Sequence, residues 1–305
     1  MPEIEIRKAL DLAPSQATSL DTHSFLNLMN VLNFELSNFG EISGKEEELD
    51  RLIGQIINIS RDLSDPNLAF ERINQLPEES ENIQHTVELI KESDESLEKS
   101  QAVTDSIANM ASIFKILRQR IFELQARVAN PEAWDTYDVN ELTASFTEML
   151  GAIEKNSKGR FRIIYNIAAQ QEKDYYVDFK IESNDSQTIS IPPIFLDVIR
   201  DLIANARKYT QPGGRINAGV WEDERSLVIS VEDSGRGIPA GEIEDVVQFG
   251  VRGSNVSGKR TFGAGLGLTK AYYYSKRLNG RMWIRSEEGY GTRVKIVIPR
   301  NQKSP

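Results

Sequence analysis

The chain has 305 residues, of which 39% are hydrophobic and 27% charged, and its formal net charge is −10. This length is sufficient for two domains of ordinary size, each with its own core. Because an acidic surface repels nucleic acid and anionic lipid, we exclude both as main partners. The absence of cysteine excludes disulfides and thiolate sites, and the two histidines argue against a histidine-rich metal site.

Membrane and export signals are missing from the hydropathy pattern. No apolar run approaches the roughly 20 residues of a membrane helix. The first ten residues, MPEIEIRKAL, contain no signal-peptide segment. We therefore expect a cytoplasmic chain without a membrane segment.

The first half of the chain has helical periodicity, interrupted by few prolines and glycines. We expect a mobile lead, a first helix, a turn, a second helix marked by apolar residues, and a poorly defined connection between two prolines. In chain order these segments are residues 1–17, 18–39, 40–45, 49–57 and 66–77.

A long helix is predicted from about Glu78 to Val128. Its second half carries apolar residues spaced by three and four, a heptad seam typical of helices in bundles or coiled coils. The seam consists of Ile107, Met110, Phe114, Leu117, Ile121, Leu124 and Val128. A homodimeric four-helix bundle is the preferred interpretation, and closure of the seam within one chain is the alternative.

The composition changes after Asn130-Pro131, which ends the helical pattern. Glycines become frequent and β-branched runs alternate with helical patterns, which predicts an α+β domain with helices on a mixed sheet. The predicted division is a helical domain at 18–135, an α+β domain at 136–300 and a tail at 301–305.

A helical segment of the second domain combines a carboxylate, an amide and an ammonium group on one face. Asp201, Asn205 and Lys208 share this face by i, i+4 and i+7 spacing. Asn205, with Asp201, is a candidate ligand set for Mg²⁺, which prefers oxygen ligands, and Lys208 is a candidate phosphate contact. Taken alone, the segment is more typical of a solvated helix face than of a binding site.

A second segment places an acid and two glycines directly after a strand. Asp233 could accept a hydrogen bond from an exocyclic amine and so select adenine over guanine. Gly235 and Gly237 allow a ligand to approach the backbone closely. The alternative is an ordinary Asp-Ser-Gly turn.

A third segment is a glycine-rich loop ahead of a helical stretch. Gly263, Gly265 and Gly267 alternate with other residues, including Leu266 and Leu268. The backbone amides of such a loop, followed by a helix N-terminus, form a cradle for phosphates. The spacing fits neither a Rossmann fingerprint nor a Walker loop.

Two further segments complete the pattern. Gly289-Tyr-Gly291-Thr292 precedes the last strand and is also compatible with a tight turn. The stretch from Phe249 to Arg260 is rich in glycine and serine, which is typical of a mobile lid. Arg252, Lys259 and Arg260 are its candidate γ-phosphate contacts.

In this order, the segments around Asn205, Asp233, Gly263 and Gly289 resemble the N, G1, G2 and G3 boxes of the GHKL ATPase superfamily, and most closely the catalytic domain of bacterial sensor histidine kinases. The resemblance covers roughly residues 136–300 and implies a Bergerat-type sandwich that binds ATP and Mg²⁺. It implies that Asn205 holds Mg²⁺ and Asp233 binds adenine. The expected ATP site comprises Asn205, Lys208, Tyr209, Asp233, Gly235, Gly237, Arg252, Gly263, Gly265, Leu266, Gly267, Leu268 and Thr292.

The resemblance also implies a phosphoacceptor histidine on the first helix, where His23 lies. A helical projection places His23 and Asn27 opposite the apolar side, so His23 is expected to face solvent, and Asn27 could orient water for the reverse reaction. The run His23-Ser-Phe-Leu-Asn-Leu-Met lacks the acidic residue and the proline that follow the family's phosphoacceptor. His85 is the weaker candidate.

Three functions are compatible with these features. The first is a histidine kinase that passes the phosphoryl group to the receiver domain of a response regulator. In that case its sensory part lies elsewhere, either cut away or in a partner protein. The second is a GHKL protein serine kinase of the anti-sigma or dehydrogenase-kinase type. The third is a docking module that uses ATP as a conformational ligand.

Overall fold

The computed structural model describes residues 2–129, 133–155, 157, 159–257 and 265–300. The chain forms two compact units, of which one spans Leu12–Ala129 and the other combines Met1–Asp11 with Asn130–Pro305. The helical unit is therefore an insertion into the chain of the second unit. Among the described residues, no helix combines the length and the apolar character needed to cross a membrane.

The helical unit is a four-helix bundle with one additional short helix. Its elements are α1 (Pro14–Ser43), α2 (Glu46–Leu63), α3 (Ala69–Glu92), the short α4 (Glu95–Glu98) and α5 (Gln101–Ala129). Helix α1 contacts α2 and α5, and α3 contacts the same two helices. The bundle is thus closed by four helices of one chain.

The heptad seam of α5 lies inside this bundle from Ile107 to Leu124, while the Val128 side chain is not among those that the structure describes. Phe114 and Leu117 are fully buried and belong to the same core as Leu32 and Leu36 of α1. The preferred closure between two chains is therefore not what the structure shows, because helices of the same chain fill the seam.

The single helix predicted from residue 78 to 128 is two helices, α3 and α5. The chain reverses over residues 93–100, where the Asp94 side chain accepts a hydrogen bond from the Ser96 N–H, 2.8 Å away, and caps α4. The predicted connection between Pro66 and Pro77 is also shorter than expected, since α3 begins at Ala69 and contains Pro77. Burial of the apolar side of α3 offsets the lost helical hydrogen bond, which costs about 3 kcal/mol.

The second unit is an α+β sandwich, as predicted. Its strands are β1 (Glu3–Glu5), β2 (Asp135–Asp138), β3 (Ile163–Ile164), β4 (Tyr175–Glu182), β5 (Thr188–Ile191), β6 (Arg215–Glu222), β7 (Ser226–Asp233), β8 (Arg281–Glu287) and β9 (Gly291–Pro299). Its helices are α6 (Val139–Lys155), α7 (Pro193–Tyr209), the short α8 (Ser254–Ser257) and α9 (Gly267–Arg277).

A mixed sheet of seven strands organises this unit, in the order β1-β8-β9-β7-β6-β4-β3, while β2 pairs separately with β5. Strands β3, β4 and β6 are parallel neighbours, and the other pairs are antiparallel. Helices α6, α7 and α9 share one apolar core with the sheet.

The segment predicted as a mobile lead contains an edge strand of this sheet. Strand β1 pairs with β8 through Ile4 and Ile284, and the buried Ile6 donates its N–H to the Met282 carbonyl oxygen, 2.9 Å away. Tyr272 Oη donates to the Lys8 carbonyl oxygen at 2.9 Å. Alternating apolar residues at positions 4 and 6 therefore hold the segment in place.

Replacement of Leu117 by Ala is expected to lower the free energy of unfolding by about 2–5 kcal/mol, because it leaves a cavity in the bundle core. Phe122→Ala on the same helix is the matched control, since Phe122 is 71% exposed, and its effect should stay within about 0.5 kcal/mol. Urea unfolding followed by circular dichroism measures both. Equal losses for the two variants would contradict the described core.

Candidate functional site

The residue that begins α9 lies directly against Asn205 of α7. A Cβ atom at Gly267 would overlap the Asn205 side-chain Nδ2, so any larger residue would displace the Asn205 amide. The N-cap residue Leu266 makes no side-chain capping hydrogen bond. The first backbone N–H groups of α9 are thus directed, beside Asn205, toward a position suited to an anion.

The loop after β7 lies against the C-terminal end of α7. The Gly235 N–H donates to Asp233 Oδ1 at 2.8 Å, and the Arg236 N–H donates to the Tyr209 carbonyl oxygen at 3.3 Å. Burial raises the pKa of Asp233 to about 6, although hydrogen bonds from the Gly235 and Thr292 backbone oppose the shift. Asp233 is thus a mostly buried carboxylate that is ionised at neutral pH.

Ser286 joins the second and fourth motifs, a role that the sequence reasoning missed. Its buried hydroxyl accepts a hydrogen bond from the Ile238 N–H at 2.8 Å and donates to the Gly291 carbonyl oxygen at 2.9 Å. The Ser286 Oγ also lies 2.8 Å from Thr292 Oγ1. The available signal was a serine in the buried row of β8, where Met282 and Ile284 are apolar.

Cationic side chains gather next to this helix end. Burial lowers the pKa of the half-buried Lys208, and the nearby positive charges of Arg252 and Arg207 lower it further. The Arg252 Nη2 donates to the Val256 carbonyl oxygen at 3.2 Å. A Cβ at Gly265 would lie 3.1 Å from Arg252 Cγ, so Arg252 lies beside the glycine loop.

The remaining predicted contacts divide into three groups. Leu266 is buried, and Leu268 is partly buried against the core. Tyr209 contributes its carbonyl oxygen to the loop after Asp233. Gly263, Lys259 and Arg260 lie outside the described residues.

The predicted metal ligands Asn205 and Asp201 have different surroundings. Asp201 Oδ2 lies 3.2 Å from the buried Lys270 Nζ and is therefore already engaged by a cation. Within the described ranges, no group of three or more His, Cys, Asp or Glu side chains could hold a metal ion. The Asn205 amide oxygen is then the remaining predicted ligand. A single protein oxygen fits a Mg²⁺ ion that takes most of its ligands from nucleotide phosphates and water.

The two histidines lie on different helices of the bundle. His23 on α1 is half-buried, less open than expected, and its Nε2 lies 3.3 Å from Asn27 Nδ2. The apolar side predicted for α1 is its buried side, as Phe25 and Met29 show. His85 on α3 is exposed.

Comparisons with known proteins match the part of the chain that contains this site. Residues 192–302 match the family of histidine kinase-, DNA gyrase B-, and HSP90-like ATPases. The sensor histidine kinase WalK of Bacillus subtilis (strain 168) is 36% identical over 104 residues, which are 33% of this chain and 17% of that protein. The adaptive-response sensory kinase SasA of Synechococcus elongatus is 25% identical over 207 residues, 66% of this chain and 50% of that protein. The chain spans half or less of the length of these relatives.

Asp233→Asn is expected to remove adenosine binding and to stabilise the unliganded protein. The folded state holds a proton on Asp233 up to a pKa of about 6, against 3.8 for an ordinary aspartate, so wild-type stability should fall as pH rises through this window. At pH 7 the neutral amide avoids this cost, and we expect a gain of roughly 1–3 kcal/mol.

Thermal unfolding between pH 4 and 8 and calorimetric titration with adenosine provide the two measurements. Wild-type affinity for adenosine should fall below pH 6, where the carboxylate is protonated. Unchanged affinity in Asp233→Asn would remove Asp233 from the site.

Gly267→Ala is expected to weaken ADP binding at least about tenfold, because the added methyl group displaces the Asn205 amide from the start of α9. Gly241→Ala is the matched control, since nothing lies within 4 Å of a Cβ at that exposed position. Calorimetric titration with ADP and Mg²⁺ compares them. Equal affinity in the two variants would show that the Asn205–Gly267 contact does not shape the site.

Proposed function

Because residues 192–302 belong to the histidine kinase-, DNA gyrase B-, and HSP90-like ATPase family, we propose that this chain is a protein-histidine kinase of a two-component system. It uses ATP to phosphorylate His23 and passes the phosphoryl group to an aspartate in the receiver domain of a response regulator. The observation that carries the proposal is the approach of Gly267 to Asn205, which joins the amide of one motif to the phosphate loop of another.

Each end of the nucleotide has a matching group in this site. The Asp233 carboxylate accepts a hydrogen bond from the exocyclic amine of adenine. The backbone N–H groups at the start of α9, with Lys208 and Arg252, bind the phosphates. Asn205 would hold Mg²⁺, which neutralises the charge of the β- and γ-phosphates when bound.

The transfer step needs a nucleophile with a free lone pair. The Asn27 amide, which lies 3.3 Å from His23 Nε2, selects the tautomer with the lone pair on Nε2 by donating to it, and this hydrogen bond breaks before the nitrogen attacks. This nitrogen forms the bond to the γ-phosphorus while the bond to the bridging oxygen breaks and ADP leaves with the electron pair. The phosphorylated imidazole then transfers the group to the receiver aspartate.

The closed bundle limits the surfaces through which the proposed homodimer could form. Because the chain's own helices fill the α5 seam, two copies would have to associate through exposed surface, such as that around Phe34 and Phe122. Dimerisation through the helical unit and a cytoplasmic location stay predictions.

Incubation of the full chain with γ-labelled ATP and Mg²⁺ should give acid-labile, base-stable label that is absent in His23→Ala and present in His85→Ala. His85 is the matched control because it is the other histidine of the bundle. Label that persists in His23→Ala would exclude His23 as the acceptor.

The same assay separates the alternative functions. Acid-stable label on the serine of an added protein would indicate a serine kinase. ATP binding without label on any protein would indicate a docking module.

A further inference from the structure

A lysine ammonium group is buried in the first turn of α9. The Lys270 side chain is 1% exposed, although long lysine side chains almost always keep their charge in water. Because an unpaired ammonium would be strongly destabilising at this depth, its partners must be built into the fold. Nothing in the proposed binding of ATP uses this residue.

Both partners are carboxylates on α7. Lys270 Nζ contacts Asp197 and lies 3.2 Å from Asp201 Oδ2, and the side chains of these acids are only 9% and 16% exposed. The two aspartates are one helical turn apart, so the ammonium group bridges adjacent turns of α7. These three charged residues connect the two helices, and we call them the α7–α9 ion cluster.

The cluster lies one turn from the contact that defines the nucleotide site. Asp201 precedes Asn205 by four residues on α7, and Lys270 follows Gly267 by three residues on α9. A rotation or slide of either helix that broke the cluster would therefore separate Asn205 from the start of α9.

Stability alone does not account for such an arrangement. Replacing buried ion pairs by apolar side chains of similar volume is often neutral or stabilising. Two helices that meet through apolar side chains alone can shift slightly along each other. A buried ammonium group contacts both carboxylates only when the two helices hold one relative position. The cluster thus supplies a defined register between α7 and α9.

We propose that Lys270 is a positioning residue that holds the phosphate-binding start of α9 against Asn205. The proposal rests on the nucleotide site proposed above. In this proposal Asp201 pairs with Lys270 in the ion cluster, and Asn205 is the residue that binds Mg²⁺. Loss of the ammonium group should weaken binding of phosphates and Mg²⁺ while adenosine binding at Asp233 persists.

The metal-ligand interpretation of Asp201 leads to the opposite result. If Asp201 bound Mg²⁺, removal of Lys270 would release its carboxylate and strengthen the binding of Mg²⁺ with ADP. The two roles of Asp201 are therefore separated by the direction of one affinity change.

Calorimetric titrations of Lys270→Met with ADP plus Mg²⁺ and with adenosine test the proposal in the full chain. We expect at least a tenfold loss of ADP affinity and less than a threefold change for adenosine. Lys276→Met on the exposed side of α9 is the matched control and should change neither affinity. A general loss of structure would lower both affinities together.

A second variant guards against failure to fold, since Lys270→Met leaves two carboxylates without their ammonium partner. Lys270→Met combined with Asp197→Asn removes one of the buried charges, and the same selective loss of ADP affinity is expected. Unchanged or tighter ADP binding in either variant would overturn the proposal. Absence of binding by the wild type would instead reject the proposed nucleotide site.

Discussion

The approach of α9 to α7 is the constraint on which the site depends. The Asn205 amide lies where a Cβ at Gly267 would be, so a larger residue there would displace the amide. This single contact brings the uncapped N–H groups of α9 to the face of α7 that carries Lys208. The loop after Asp233 reaches the same helix through the Tyr209 carbonyl oxygen, so the end of α7 organises the whole site.

The motif residues could be proposed from the sequence because each motif is local. An aspartate that ends a strand and alternate glycines ahead of a helix are visible in the chain itself, whereas the contact of Gly267 with Asn205 is visible only in the fold. Lys270 and Ser286 could not be predicted in this way, since their roles depend on contacts with Asp197 and Ile238. Such partners lie far away along the chain, and only the folded sheet brings them together.

The fold shows the same division between local and distant information. Periodicity predicted α1, α2 and the seam of α5, and β-branched runs predicted β4, β7 and β9. It did not predict β6, whose run is interrupted by Asn217 and Gly219, or β8, whose apolar residues stand among arginines. It also did not predict the partner of the α5 seam. The seam's spacing is the same whether its partner helix belongs to the same chain or to a second copy.

The pairing of β1 with β8 affects how the protein folds during synthesis and where it can be truncated. Residues 3–5 are synthesised well before their partners at residues 283–285, because the whole helical unit and most of the sheet lie between them in the chain. The helical unit can fold during this interval, whereas this edge of the sheet closes only after β8 has been synthesised. A fragment that begins at residue 133 would lack β1, expose the backbone of β8 and uncover the apolar surface beneath Ile6, so it would be prone to edge-to-edge association.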